Sequence, residues 1–160
     1  MFDSLSGRSH RASRPGVGVD AVEPTRLGGI LERHPEVRTD LFTPVELAYC
    51  GTQPDPLQCL AARYAAKEAV VKALRLDGFD PQDISLVPTE TAPRVELAGD
   101  AARRAEELGV VVEASLTHLP SVAIAVALLV PRDRLGAGRL PALARTWRGR
   151  QKRDSSSRVR

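Results

Sequence analysis

DPLQCLAARYAAKEAVVKALRL, residues 55–76, is the longest helical pattern in the chain and the one that decides its fold. Asp55 precedes Pro56, a residue tolerated in a first helical turn, and Asp77-Gly78 ends the run. Ala62, Ala66, Ala69, Val70, Ala73 and Leu74 recur at helical spacing and form the apolar stripe. Because alanine dominates that stripe, neighbouring elements can approach the helix closely. Glu68 and Lys72 lie four apart and share one face, with Arg75 near them; Arg63 and Lys67 make a second pair of the same spacing. In isolation such pairs describe a solvated helix face, each contributing about 0.3–0.5 kcal/mol.

On the N-terminal side, GVGVDAV at residues 16–22 alternates like a short strand, with Val17, Val19 and Ala21 on one face. Asp20 closes that strand. Aspartate is depleted in strands, so it reads either as a turn residue or as a carboxylate aimed into a cleft. Pro24-Thr25 starts a helix whose spacing runs through Leu27, Ile30 and Leu31 to His34-Pro35. Thr43-Pro44-Val45-Glu46 is a capping-box signature for a short helix over 44–50, followed by a loop over 51–56. On the C-terminal side, 84–87 and 94–97 read as strands around a proline-bearing turn. Residues 100–108 read as a helix stopped by Gly109. Two further strands, 110–116 and 121–130, flank a tight connection at Thr117-His118-Leu119-Pro120. A histidine in such a connection is usually a satisfied turn residue. The order is strand, helices, then strands with one interposed helix. It predicts an α+β fold, a small antiparallel sheet wrapped around one long helix.

The chain has 160 residues, enough for one domain; 42% hydrophobic and 27% charged residues suit a water-soluble globule. The longest apolar run, 122–130, is too short to span a bilayer, and no apolar stretch of a signal peptide follows the basic N-terminus. A cytoplasmic location is the expectation. Cys50 and Cys59 form neither a CxxC pair nor a disulfide framework, and read as two reduced structural thiols. The net charge of +3 is unevenly spread: residues 1–15 carry +2, residues 131–160 carry +8, and the body between them carries −7. The N-terminal 15 residues and the Arg-rich stretch 131–160 lack periodicity and read as disordered extensions around a domain at 16–130. A basic tail can bind nucleic acid, a membrane surface or an acidic partner.

Taken together, GVGVDAVE, FTPVELAYC, CLAARYAAKEAVVKAL and SLTHLPSVAIAVAL resemble, in order and spacing, the holo-acyl-carrier-protein synthases, the small type of 4′-phosphopantetheinyl transferase. The family pattern reads G-x-G-x-D-I-V-E, L-T-x-x-E, R-F-A-A-K-E-A-x-x-K-A and S-x-S-H, and the likeness covers about residues 16–130. Its most specific block is K-E-A-x-x-K. Tyr64 stands where Phe is common, Thr117 where Ser is common, and Leu119 where many members are polar. Thr91-Ala92-Pro93 keeps only the proline of a Gly-x-Pro turn.

The resemblance implies transfer of 4′-phosphopantetheine from coenzyme A to a serine of an acyl carrier protein, with magnesium, releasing 3′,5′-ADP. It implies Asp20 and Glu68 as metal ligands and His118 as a contact to the coenzyme A phosphates. Helical position adds Lys72, one turn beyond Glu68, as a second catalytic residue that reaches the same pyrophosphate, and Arg63 and Lys67, a turn earlier, as holders of other phosphate oxygens; the Pro93 turn is expected to close the cofactor cleft from a neighbouring subunit. Arg26 matches a position that docks the carrier protein, and Arg33 lies on the same helix. The general base stays open between Glu68 and a water on the metal. The family's small members are homotrimers with active sites between subunits, and the same is expected here; the carrier could serve fatty-acid, polyketide or peptide synthesis. The residues agree with the implied chemistry. Phosphoryl-type displacement needs placement and charge stabilisation, and magnesium is commonly held by one or two carboxylates with phosphate oxygens and water. Two rivals predict different residues. A non-catalytic scaffold of the same fold should have lost Asp20, Glu68 or Lys72, yet all three are present. A nucleic-acid module should interleave aromatics in its basic tail, which has Trp147 alone.

Overall fold

The computed structural model describes residues 16–135. The disorder expected for 1–15 and for 136–160 lies outside the described residues. The chain runs β1 (Val17–Val22), α1 (Pro24–Arg33), α2 (Val37–Leu41), α3 (Pro44–Gly51) and α4 (Pro56–Leu74). A 3-10 turn (Pro81–Asp83) then leads to β2 (Ile84–Val87), β3 (Arg94–Leu97), α5 (Gly99–Leu108), β4 (Val110–His118), β5 (Ala123–Pro131) and α6 (Arg132–Leu135). One antiparallel sheet of order β1-β5-β4-β3-β2 packs against α4, the expected α+β architecture.

Small residues on both surfaces set how closely helix and sheet approach. Ala123, Ala125, Ala127 and Leu129 of β5 point inward and are buried, as are Ala62, Ala65, Ala66, Ala69 and Ala73 of α4. At β1 even a methyl group is too much. A Cβ on Gly18 would stand 1.9 Å from the Ala69 carbonyl oxygen and 2.7 Å from the Ala73 nitrogen. The strand backbone therefore lies directly on the helix backbone, which only glycine allows. The core divides along α4. Its C-terminal half meets α5 and β2–β5. Its N-terminal half meets α1, α3 and Phe42.

Asp55 caps α4 as the sequence indicates, accepting from the Gln58 backbone N–H at 3.0 Å. The Thr43/Glu46 capping box also forms. Four expectations need correction. First, α2 is a helix the sequence pattern did not mark: its five residues have no buried member and so leave no apolar stripe. Second, Cys50 and Cys59 are joined as a disulfide rather than left as thiols. The α3–α4 hairpin brings their Cα atoms to 5.5 Å, inside the bridging range, a proximity that a nine-residue separation does not reveal. Third, β4 extends through Thr117 and His118, and His118 pairs with Ala123, so the turn is Leu119–Val122. Fourth, the first residues assigned to the tail belong to the fold: β5 includes Pro131, and Arg132 donates from its backbone to Gly109 and from Nε to Val110.

Candidate active site

Alternation along β1 places Gly18 and Asp20 on the same face, toward α4. Pressing Gly18 against Ala69 and Ala73 thus delivers the Asp20 carboxylate to the neighbouring row of the helix, which carries Glu68 and Lys72. The Lys72 ammonium bonds Asp20 Oδ1 and the Val19 carbonyl, the latter at 3.3 Å. The Asp20 side chain is 18% exposed and that of Lys72 51%, so the pair sits at a mouth rather than in the core.

Beside this pair opens a cleft of about 400 Å³, lined by residues 20–23 at the end of β1, by Arg26, Leu27 and Ile30 of α1, and by Tyr64 and Glu68 of α4. Asp20 and Glu68 therefore face one space, as do Tyr64 and Arg26. Three carboxylates, of Asp20, Glu23 and Glu68, line it against one guanidinium. Among the described residues no three carboxylate, histidine or cysteine side chains come together as a metal cage, so a cation at this cleft would take most of its ligands from phosphate and water. The Tyr64 phenol is pushed up to about 12, by burial first and then by the negative charge and hydrogen bonding of Glu68 and the charge of Asp20. It stays a neutral O–H across the physiological range and faces Glu68 as a donor.

The other expected ligands lie elsewhere. Lys67 is wholly buried. Its ammonium pairs with Glu46 at 2.9 Å and donates to the carbonyls of Leu41 at 2.8 Å and Pro81 at 2.7 Å. Glu46 in turn accepts from Thr43 N and Oγ1 and from Leu86 N. All three lysine protons are used, so Lys67 ties α4 to α3, the end of α2 and the 3-10 turn rather than reaching a phosphate. Burial pulls its pKa down and Glu46 opposes that. Helical spacing alone cannot distinguish this inward lysine from an outward one. Arg63 is also buried, stacked 4.4 Å from the Tyr49 ring centroid and donating to Cys59 Sγ at 3.1 Å. Pro93 lies in the β2–β3 turn, on the sheet edge opposite β1. His118 is exposed at the end of β4, where its Nδ1 meets Gln58 Oε1 at 3.0 Å. Arg33 is exposed on α1 outside the cleft that Arg26 lines. Sequence reasoning passed over Gln58, and it took Glu46 as a cap alone; only the tertiary contacts reveal their partners.

Comparison with known proteins shows the family. Residues 16–127 match the 4′-phosphopantetheinyl transferase superfamily, and the chain belongs to that family. Within it the chain is similar to holo-[acyl-carrier-protein] synthases. It is 44% identical over 116 residues to that of Moorella thermoacetica, covering 70% of this chain and 91% of the relative. Among solved structures, the acyl carrier protein synthase of Mycobacterium tuberculosis superimposes with a TM-score of 0.58 at 34% identity, over 72% of this chain and 96% of that one. A coenzyme A complex of the Chronobacterium ammoniagenes synthase gives a TM-score of 0.66 at 26% identity, over 74% and 98%. The enzyme is thus a phosphopantetheinyl transferase of the carrier-protein synthase type.

Proposed function

We propose that this cleft binds the pyrophosphate of coenzyme A together with magnesium and passes 4′-phosphopantetheine to a serine of an acyl carrier protein in the cytoplasm. The observation that carries this reading is the convergence of Asp20 and Glu68 on one cleft, with Lys72 bonded to Asp20. The serine hydroxyl gives up its proton to Glu68 or to a water, its oxygen forms a bond to the β-phosphorus, the bond from that phosphorus to the bridging oxygen breaks, and 3′,5′-ADP departs with the electron pair. Magnesium, when bound, would neutralise charge on the phosphate oxygens, held by Asp20 and Glu68. Lys72 adds a mobile cation one helical turn beyond Glu68. Arg26, exposed on the rim, offers a guanidinium to carboxylates of the carrier protein, with Arg33 further along α1.

The positions of the remaining ligands favour a homotrimer with shared sites. His118 bonds Gln58, ten residues before Glu68, a displacement of about 15 Å along a helix. Pro93 lies beyond β3, three strand spacings or about 14 Å from β1. Neither group reaches its own subunit's cleft, so both would serve a neighbour's. The outer face of the sheet supplies a surface for that assembly. Val17 pairs with Leu128 and Val19 with Val126, all of them more than a third exposed, as is Ile124 beside them. The test is incubation with coenzyme A, magnesium and several apo carrier proteins, read by intact mass. Addition of the pantetheine phosphate to at least one carrier is expected; no addition to any would remove the reading.

A further inference from the structure

At the N-terminus of α4, a side-chain chain leads from Asp55 through Gln58 to His118. The Gln58 amide nitrogen Nε2 donates to Asp55 Oδ2 at 2.6 Å, while the Gln58 backbone N–H donates to Oδ1 at 3.0 Å. That backbone bond, foremost, holds the Asp55 carboxyl below its ordinary range, so the aspartate remains an anion that can only accept. An amide turned the other way would place two oxygens against each other. Its NH2 end is thereby fixed toward Asp55 and its carbonyl toward His118. A carbonyl oxygen cannot donate, so the contact of 3.0 Å requires a proton on His118 Nδ1. Nε2 has no hydrogen-bond partner among the described residues, and the residue is exposed.

We infer that Gln58 is a positioning residue: held by Asp55, it locks His118 as the Nδ1–H tautomer and orients the ring so that Nε2 meets the coenzyme A phosphate. The inference rests on the proposed role of His118 as a contact to coenzyme A. An unrestrained ring could rotate and exchange tautomers; the clamp joins helix α4 to the end of β4 and removes both freedoms. Asp55 thus serves twice, as helix cap and as anchor of the amide.

The experiment uses the full chain labelled with 15N and records two-bond imidazole correlations with His118 neutral, His118→Ala assigning the signals. Wild type should show a protonated Nδ1 and an unprotonated Nε2. Gln58→Leu should move the ring toward the Nε2–H form and raise the Michaelis constant for coenzyme A roughly 2- to 10-fold, with turnover unchanged, the range expected for one net hydrogen bond. An Nε2–H tautomer in wild type, or the same tautomer in Gln58→Leu, overturns the inference. So does an unchanged Michaelis constant in Gln58→Leu where His118→Ala raises it. If His118→Ala itself leaves the constant unchanged, the coenzyme A role of His118 falls, while the spectra still decide the Gln58–His118 bond.

Discussion

Substituting Gly18 by alanine tests how the cleft is built. The new methyl carbon would stand 1.9 Å from the Ala69 carbonyl oxygen, where ordinary contact begins near 3.4 Å. Relief requires separation by about 1.5 Å, and both partners are backbone, so no side chain can swing aside. Overpacking of this kind typically costs about 1–3 kcal/mol. Asp20 lies two residues further on the same face and would move with the strand. A misplacement of about 1 Å at a reacting centre can cost on the order of 100-fold in rate. Gly18→Ala should therefore lose both stability in urea denaturation and most of the transfer rate at saturating substrates. The variant should bind magnesium more weakly in calorimetry, since the two carboxylates no longer converge. If Gly18→Ala unfolds at the wild-type midpoint and keeps the wild-type rate, the close packing of β1 on α4 does not position the site.

Three further expectations follow from particular contacts. Lys67→Met leaves the buried Glu46 carboxylate without its cation and should destabilise the fold by about 3–5 kcal/mol; adding Glu46→Gln should recover much of it in a double-mutant cycle by denaturation. Tyr64 has its pKa raised from 10.0 to about 12, so its contribution to stability is complete below pH 10 and is lost as pH rises toward 12. Wild type minus Tyr64→Phe, followed by tyrosinate absorbance, should show a late-titrating phenol near pH 12; a difference spectrum complete by pH 10 would contradict this. Val126→Arg places a charge at the middle of the exposed apolar face; under the proposed trimeric assembly wild type should sediment as a trimer and the variant as monomers with impaired transfer, whereas a fully active wild-type monomer would refute shared sites.

Much of this architecture was legible because it rests on local periodicity. The alanine stripe of 62–73, the Asp55 and Thr43 caps and the Gly109 stop are each readable within a few residues, and the structure keeps all of them. The convergence of Asp20 with Glu68 was readable only by resemblance, since 48 residues separate them; Gly18 is the physical reason they meet. What escaped was long-range. Lys67 and Lys72 have the same local setting on α4, yet one is sealed under α3 and the other meets solvent. The Cys50–Cys59 bridge depends on the angle between two helices, and the position of His118 within β4 depends on pairing with Ala123.

In the proposed reaction Asp20 and Glu68 act together through a metal in phosphopantetheinyl transfer. The most direct measurement is single-turnover transfer to a carrier protein by wild type, Asp20→Ala and Glu68→Ala across a magnesium titration, with binding of the ion followed separately by calorimetry. Wild type should require magnesium, and each variant should lose both ion binding and transfer while unfolding as wild type does. A Glu68→Ala enzyme that transfers at the wild-type rate and with the wild-type magnesium dependence would contradict the account.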